Sequence, residues 1–364
     1  MVPNKHWTFG LLLGLVCACS GDRPVTLHAP DEYPERLSAW GVISADASGL
    51  RVPDHNYVYS LNTALFTDYA LKLRTVYLPD GTSGRYHARD SFELPVGSVI
   101  SKTFLYRTDD EGDILLDAHW DENPASLANQ SIRLIETRLL VRQPHGWDAL
   151  PYVWRGDDAY LSITGDLFTL NTTVSEAFNY IVPSRNQCAT CHATNHTTGE
   201  VKPIGIKARH LNREDPVHGR NQITHLRAGG WLRNVPDPES IPANARWGVV
   251  DVDLDNKARS YLDINCGHCH NEAGAADTSG LLLDYEDHAP GALGVCKPPI
   301  AAGRGSGGFN YSIVPGDAAN SIMPFRMRTT SPATMMPELG RSLAHAEGVA
   351  LINDWVNAMQ GECL

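Results

Sequence analysis

The stretch DINCGHCHNEAG, residues 263–274, contains two cysteines three positions apart, and a histidine follows the second cysteine directly. The same C-x-x-C-H pattern occurs in RNQCATCHATN, residues 185–195. The first triplet consists of Cys188, Cys191 and His192, and the second triplet of Cys266, Cys269 and His270. The chain therefore contains the same arrangement of reactive side chains twice. The metal or cofactor that this arrangement binds determines which fold is expected around it.

Zinc, a redox disulfide and a covalent cofactor are the three candidates for the triplets. A zinc site takes four ligands, commonly from two C-x-x-C pairs or from one such pair and a later histidine pair. Two pairs could meet in space, but zinc gives no reason for a histidine directly after each pair. A redox C-x-x-C belongs to a thioredoxin-like βαβ context, and the sequence shows none.

Covalent haem c accounts for every position of the pattern. Two thiols add to the two vinyl groups of one haem, and the adjacent histidine becomes the proximal iron ligand. The sequence therefore predicts two haem c groups. We expect covalent attachment at Cys188, Cys191, Cys266 and Cys269, with His192 and His270 as axial iron ligands.

The distal iron ligands are open to more than one interpretation. For the second haem, the candidate is Met336 in TMMPEL, residues 334–339. This segment precedes the predicted last helix, as the distal-ligand loop of a class I cytochrome does. Met323 and Met327 are the alternative ligands. For the first haem, Met327 is preferred among the methionines. A histidine is the alternative there, and the candidates are His196, His210, His218 and His225. The first iron could also be five-coordinate and open to peroxide.

The N-terminus predicts export. Lys5 precedes the apolar run FGLLLGLVCAC, residues 9–19, which is too short to cross a bilayer. VCAC, residues 16–19, is typical of a bacterial lipobox, so we expect a signal peptide over residues 1–18 and lipidation of Cys19. An ordinary secretory signal is the alternative. The expected location is the periplasmic side of a Gram-negative envelope, on the outer membrane, because Ser20 gives no aspartate retention signal.

Two of the eight cysteines remain after this assignment. Cys17 leaves with the signal peptide, Cys19 takes the lipid, and four cysteines belong to the triplets. Leftover cysteines in an oxidising compartment usually pair, which predicts a Cys296–Cys363 disulfide. Two free buried thiols are the alternative.

The pattern along the chain predicts an α+β protein, with an antiparallel β domain followed by a mainly α-helical, cytochrome c-like diheme region. The expected divisions are a tether over 19–50, a β-rich domain over 51–175, a first haem region over 176–250 and a second haem domain over 251–364. Residues 98–107 and 131–142 read as strands of a sandwich or barrel. In the second strand, Ile135, Thr137, Leu139 and Val141 share one face, and Glu136 and Arg138 lie on the other.

Two helices are predicted in the second half of the chain. Residues 255–265 lead into the second triplet, with Asp255 as the N-cap. Residues 345–361 place an apolar stripe at helical spacing, which contains Val349, Ile352, Trp355, Val356 and Met359.

Composition narrows the class of partner. The apolar fraction of 42% is that of an ordinary globular protein. The formal net charge of −12, without a basic patch, argues against nucleic-acid binding and permits a basic redox protein as partner.

The chain resembles a family of diheme c-type cytochromes of Gram-negative bacteria. The resemblance lies in LPVG and KTF within residues 94–104, IETRLLVR at 135–142, PSRNQCATCH at 183–192, PIGIKARHLN at 203–212, NQ at 221–222, ARSYLDINCGHCH at 258–270, and RM, MMPELGR, H, EGV, LI and W within 326–355. It covers most of the chain after the signal peptide, and it implies two covalent haems and electron transfer. Met327 and Met336 match family positions.

Three functions are compatible with these observations. The first is an electron carrier between redox proteins, with both irons six-coordinate. The second is a diheme peroxidase-type oxidoreductase, in which one haem relays electrons and the other reacts. The third is a haem-bearing binding or scaffold protein, whose β domain docks a partner.

Overall fold

The computed structural model describes residues 24–46, 49–116, 120–128, 130–286, 288–300 and 302–364. The predicted signal peptide over 1–18 and the lipidation site Cys19 lie outside these residues. The described chain is α+β, as predicted, because it combines an antiparallel sheet with a helical second half. No helix in the described part of the chain is both long enough and apolar enough to cross a membrane.

The strands lie mainly in the first half of the chain. Their bounds are β1 Ser44–Asp46, β2 Gly49–Arg51, β3 Tyr57–Val58, β4 Leu71–Tyr77, β5 Gly84–Arg85, β6 Val99–Arg107, β7 Ile132–Gln143, β8 Gly146–Arg155, β9 Asp158–Leu161, β10 Asp166–Leu170, β11 Phe178–Val182 and β12 Leu232–Arg233. Six of them form an antiparallel sheet in the order β3-β4-β6-β7-β8-β9.

The helices lie in the second half. Their bounds are α1 Arg185–His192, α2 Ala208–Leu211, α3 Gln222–Ala228, α4 Leu254–Leu262, α5 Pro290–Leu293, α6 Ile322–Arg328 and α7 Ala346–Ala358. A π-helical turn over Asp263–Gly267 continues α4 into the second triplet. The two predicted helices are confirmed as α4 with this turn and as α7.

The two long strands predicted from alternation are β6 and β7, and both are buried on their two faces. Leu139 and Val141 of β7 pack on one side of the sheet with Trp40, in a cluster that we call the outer cluster. Leu140 of β7 packs on the other side with Cys188. The described residues build one open six-stranded sheet with short two-stranded additions instead of the expected sandwich or barrel, because helices and loops of the second half cover its other face.

The predicted tether over 19–50 is wrong from Leu37 onward. Leu37–Trp40 forms a 3₁₀ helix, and Leu37, Trp40, Val42 and Ile43 are at most 1% exposed. The Trp40 indole donates a hydrogen bond of 2.8 Å to the Tyr152 hydroxyl of β8. Burial of these apolar side chains against the sheet stabilises the fold, so this segment is part of the β structure.

The predicted boundary between residues 175 and 176 also needs correction. It falls inside the hairpin of β10 and β11, whose strands pair from Asp166 with Val182 to Leu170 with Phe178. Residues on both sides of the boundary share one apolar core, which we call the shared cluster; it includes Tyr57, Ile100, Leu140, Cys188, Ile223 and Ile264. In addition, β12 pairs in parallel with β5. The β structure and residues 176–250, the predicted first haem region, are therefore one folding unit.

The C-terminal part packs around a second core, which we call the C-terminal cluster. Tyr261, Leu262, Met323, Ile352, Trp355 and Val356 are among its buried members. Gly348 of α7 lies directly against the Tyr261 ring of α4, where a Cβ would leave no room. Glycine at this position therefore allows the two helices to cross closely.

The N-cap of α4 differs from the prediction. Asp253 caps the helix, because its carboxylate accepts a hydrogen bond of 3.1 Å from the Asn256 amide. Asp255, the predicted cap, instead accepts a bond of 2.7 Å from the Trp355 indole of α7. Alternating carboxylates in residues 251–256 offered two possible caps, and packing against α7 decides between them.

The predicted Cys296–Cys363 disulfide is confirmed. It joins the segment after α5 to the end of the chain, across a sequence separation of 67 residues. The four cysteines of the triplets are free thiols.

Candidate functional site

The first triplet lies on α1, which begins with a capping box. The Ser184 hydroxyl accepts a hydrogen bond from the Gln187 amide, and the Gln187 side chain accepts one from the Ser184 amide. This reciprocal cap satisfies two backbone donors that a helix start leaves open. It fixes the helix in which Cys188, Cys191 and His192 follow each other within about one turn.

The second triplet follows the π-helical turn that extends α4. Cys266 lies within that turn, and the Cys269 and His270 amides both donate to the Cys266 carbonyl, at 3.0 and 2.9 Å. Gly267 packs against the Asp284 backbone, with an added Cβ only 2.8 Å from Asp284 Cα. Single π turns are frequent at functional sites, and this one leads directly into the second triplet.

Each triplet histidine has its Nδ1 committed to a hydrogen bond. His192 Nδ1 lies 2.8 Å from the Lys202 carbonyl, which only accepts, so Nδ1 carries the proton. His270 Nδ1 lies 3.2 Å from Ser279 Oγ, and that hydroxyl donates its own proton to the Ala276 carbonyl at 2.6 Å. In both rings Nε2 therefore keeps the free lone pair that a metal ligand needs.

Burial keeps both imidazoles neutral. It lowers the pKa of His192 to about 4, although the Lys202 hydrogen bond opposes the shift. Burial also lowers the pKa of His270 to about 4, and the charges of His268 and Arg326 add to it. A neutral imidazole at physiological pH is the form that binds iron.

The two triplets lie next to each other. Ligand atoms of Cys191, His268 and Cys269 all lie within 4.8 Å of one another. The Cys269 thiol lies 3.6 Å from the Thr190 carbonyl, and the His196 amide donates to the Ala273 carbonyl at 2.8 Å. The segments that carry the two triplets are therefore in direct contact, and the triplets lie side by side.

The Cys191 thiol differs from the other three triplet thiols, whose pKa values are all raised. A hydrogen bond from Cys269, opposed by burial and assisted by His268, lowers the pKa of the Cys191 thiol. Burial raises the pKa of Cys188, and it raises the pKa of Cys266 to about 12.

The predicted methionine ligands lie in the part of the chain that faces the second triplet. The Met336 amide donates to the Arg326 carbonyl at 2.9 Å, and Arg341 donates to the Met336 carbonyl. Arg326 lies close enough to His270 to lower its pKa, and Glu338 raises that of Cys269. The backbone hydrogen bonds tie the Met336 loop to Arg326 at the end of α6 and to Arg341.

Met327 packs in the C-terminal cluster, which also includes Cys266. The shared cluster, which contains Cys188 and Cys191, includes no methionine among its described members. The assignment of Met327 to the first iron therefore stays a prediction, and the packing connects this residue with the second triplet.

The histidines considered for the first iron have other partners. His196 Nδ1 lies 3.0 Å from the Ala273 carbonyl. His218 Nδ1 and His225 Nδ1 lie 3.2 and 3.3 Å from the buried Asp215 carboxylate. His210 is buried, with its Nε2 3.6 Å from Asp263.

A buried polar network next to the second triplet has no signal in the sequence. Arg209 of α2 donates from Nε and Nη2 to both oxygens of Asp263, at 2.7 and 2.8 Å, and Asn244 donates to the same carboxylate at 2.8 Å. Asp263 is the first residue of the π turn, so the network ties that turn to α2 and to Asn244. The Arg209 pair lowers the pKa of Asp263 despite its burial.

The donor set fits haem c at both triplets. Each triplet offers two free thiols and one neutral histidine with an available Nε2, which is the set that this group requires. Comparison with protein-family models, with curated proteins and with solved structures gave no match.

Proposed function

We propose that the chain is an exported diheme c-type cytochrome that transfers electrons between redox proteins. The observation that carries the proposal is the pair of C-x-x-C-H triplets packed side by side, each with a histidine whose Nδ1 is committed and whose Nε2 is available. Two adjacent one-electron centres suit transfer through the protein from one partner to another.

Haem c supplies a one-electron iron couple when it is bound. Cys188 and Cys191 would hold one haem, and Cys266 and Cys269 the other. His192 and His270 would bind the two irons through Nε2. Met336 is the proposed distal ligand of the second haem, and a thioether ligand raises the reduction potential.

The proposed location and partners rest on the sequence. Lipidation at Cys19 would hold the protein on the periplasmic side of the outer membrane, and the acidic chain would meet basic redox proteins. The resemblance to diheme cytochromes and the oxidising compartment implied by the Cys296–Cys363 disulfide support this placement.

The haem content of purified protein tests the proposal. We would express the chain with haem-maturation machinery and measure the ratio of covalent haem to protein by pyridine haemochrome. The expected ratio is two for the wild type and one for either Cys188→Ala/Cys191→Ala or Cys266→Ala/Cys269→Ala. The matched control is Cys296→Ala/Cys363→Ala, which also removes two cysteines and should keep both haems. A wild-type protein without covalent haem would refute the proposal.

A diheme oxidoreductase of peroxidase type is the second candidate function. The absence of methionine from the described shared cluster favours it, because the first iron would then lack a thioether ligand. A high-spin ferric signal that shifts on addition of cyanide, together with peroxide-dependent oxidation of a reduced donor, would favour this candidate. A ferric spectrum without a high-spin component would favour the electron carrier.

Metal analysis of the same preparations separates haem from zinc. The Cys191, His268 and Cys269 donors lie close enough together to bind a zinc ion in a chain that carries no haem. Zinc at one equivalent, with no haem-bound iron, would show that the triplets form a thiolate metal site.

A further inference from the structure

The sheet face that packs on the first triplet carries a row of cations. Val76, Ile100, Leu140 and Ala149 lie side by side across β4, β6, β7 and β8, and they pack in the shared cluster with Cys188. Side chains two positions apart on a strand share a face. The next row on this face therefore contains Arg74, Lys102 and Arg138, which we call the cation row.

The members of the cation row are direct cross-strand neighbours. Arg74 of β4 pairs with Lys102 of β6, and Lys102 pairs with Arg138 of β7. The Arg74 side chain is 3% exposed and that of Arg138 is 22% exposed. Like charges directly opposite each other destabilise a sheet, and burial strengthens their repulsion.

The described residues supply too little negative charge for this row. Glu136 binds Arg138 through Oε1 and Oε2 and also accepts a bond of 2.7 Å from the Tyr180 hydroxyl. Glu122 lies 3.4 Å from Arg74, but Arg213 shares it at 3.2 Å.

Two groups of the row are left over. Arg74 Nη2 is buried and has no hydrogen-bond partner among the described residues. Lys102 Nζ lies 4.9 Å from the centroid of the Phe104 ring and forms no salt bridge within the described chain. Burying cations without a counter-charge is costly, so an anion between the sheet and its neighbour would stabilise this face.

That neighbour is the first triplet. Ile100 and Leu140 lie two positions from Lys102 and Arg138 on the same face of the sheet. Both pack in the shared cluster with Cys188 and Cys191. In addition, α1 packs against β8 of the same sheet. An anion in front of the cation row would therefore lie beside the group that Cys188 and Cys191 hold.

We propose that Arg74, Lys102 and Arg138 bind the propionate carboxylates of the haem attached at Cys188 and Cys191. This inference rests on the proposed function. Arginine and lysine are the side chains that recognise carboxylates, and a carboxylate between them would supply the missing negative charge. The two haems would then differ, because the cation row faces only the first triplet.

Spectroelectrochemical titration of the diheme protein tests the proposal. Lys102→Met removes one cation of the row, and the matched control Arg155→Met removes an exposed cation of the same sheet. Loss of a nearby positive charge favours ferric haem. We expect Lys102→Met to shift the reduction equilibrium of one haem by about tenfold, or 59 mV for a one-electron couple. Lys102→Arg should keep the wild-type value, and Arg155→Met should leave both haems unchanged.

Other outcomes would overturn the inference. Equal potentials in Lys102→Met and wild type, or equal shifts in Lys102→Met and Arg155→Met, would show that the row does not act on one haem. A wild-type potential that moves on addition of inorganic phosphate would show that the row holds an exchangeable anion. The haem count is measured before any potential. A wild-type protein without covalent haem would refute the proposed function at that stage, independently of the cation row.

If Lys102→Met protein does not accumulate with haem, a second measurement tests the proposal without that variant. Wild type and Lys102→Arg both keep the charge but differ in the geometry of the donor. Resonance Raman spectra report the propionate bending mode of the haem. We expect that mode to differ between the two proteins, and identical modes would contradict carboxylate binding by Lys102.

Discussion

One hydrogen bond at each triplet decides which histidine nitrogen can bind iron. The Lys202 carbonyl accepts from His192 Nδ1, and Ser279 accepts from His270 Nδ1. Such partners fix the tautomer and the orientation of the ring, so they would tune a metal ion that binds to Nε2. Neither partner could be read from the sequence, since both lie several residues after the histidine in segments without a motif.

The proposed distal ligand Met336 gives a prediction for one residue. Met336→Ala should abolish the charge-transfer band that methionine-ligated ferric haem shows at the red end of the visible spectrum. It should also lower the potential of one haem, because a thioether ligand raises it. The control Met359→Ala removes a half-buried methionine of the C-terminal cluster and should keep the band. A band that survives in Met336→Ala would assign the distal position to another residue.

The thiols give a second prediction, for protein made without haem and kept reduced. The nucleophile is the thiolate, so reactivity follows the lowered pKa of Cys191 and the raised pKa values of Cys188 and Cys266. At neutral pH, iodoacetamide should modify Cys191 first. Cys266 should react appreciably only as the pH approaches about 12. Mass spectrometry of short labelling pulses measures the order, and faster modification of Cys266 than of Cys191 would contradict it.

At single residues, the disulfide is the sequence prediction that the structure confirms, and the haem roles of the triplets stay predictions. The triplets and the Cys296–Cys363 pair follow from spacing and from counting cysteines, and the disulfide is confirmed. Asp255 was wrongly predicted as a helix cap because two carboxylates suit that role and only packing against Trp355 separates them. The charge of the cation row was visible in the sequence, but its position depends on the register of three strands.

At the scale of elements, the π turn after α4 connects this helix to the second triplet. The Arg209, Asn244 and Asp263 network holds its first residue to α2. The helix was predictable from its periodicity, but the turn was not, because the network joins residues far apart in the chain.

Asp263→Asn tests this network. The substitution leaves Arg209 buried without its counter-charge, so we expect a loss of about 3–5 kcal/mol in the free energy of unfolding. Urea denaturation measures it. Asp166→Asn, which breaks the more exposed pair with Arg155, should cost at most about 1 kcal/mol. Similar losses in the two variants would show that the network adds no special stability.

The same carboxylate predicts a pH dependence. Asp263 has a lowered pKa in the folded protein, so its stabilising contribution is complete above the unfolded value of about 4 and is lost as the pH falls through the folded value. Wild type should therefore lose stability toward acid more steeply than Asp263→Asn. Parallel stability curves from pH 6 to pH 3 would contradict this.

At the scale of the whole molecule, the sheet and the first triplet share one core. The sheet residues Val76, Ile100 and Leu140 pack with Cys188 and Ile223. At these residues the face of the sheet is therefore apolar and is covered by the second half of the chain. The sequence predicted separate domains because the composition changes near residue 176. Composition indicates whether a segment forms strands or helices, but it does not show which strands and helices pack against each other.

A truncation tests this unit. A fragment of residues 24–175 lacks β11 and every second-half residue that covers the sheet, so it would expose a large apolar face and should aggregate or remain unfolded. Circular dichroism and urea denaturation measure it, with the full chain as control. A cooperative unfolding transition in the fragment would contradict the shared core.

The Cys296–Cys363 bridge closes a covalent ring around one part of the chain. All the methionines after Met1 lie within that ring, from Met323 to Met359. A protease that cuts the chain once inside the ring would leave both pieces attached to the body of the protein, so every thioether would stay tethered. The bridge thereby keeps these methionines covalently attached to the rest of the protein after any single cut between residues 296 and 363.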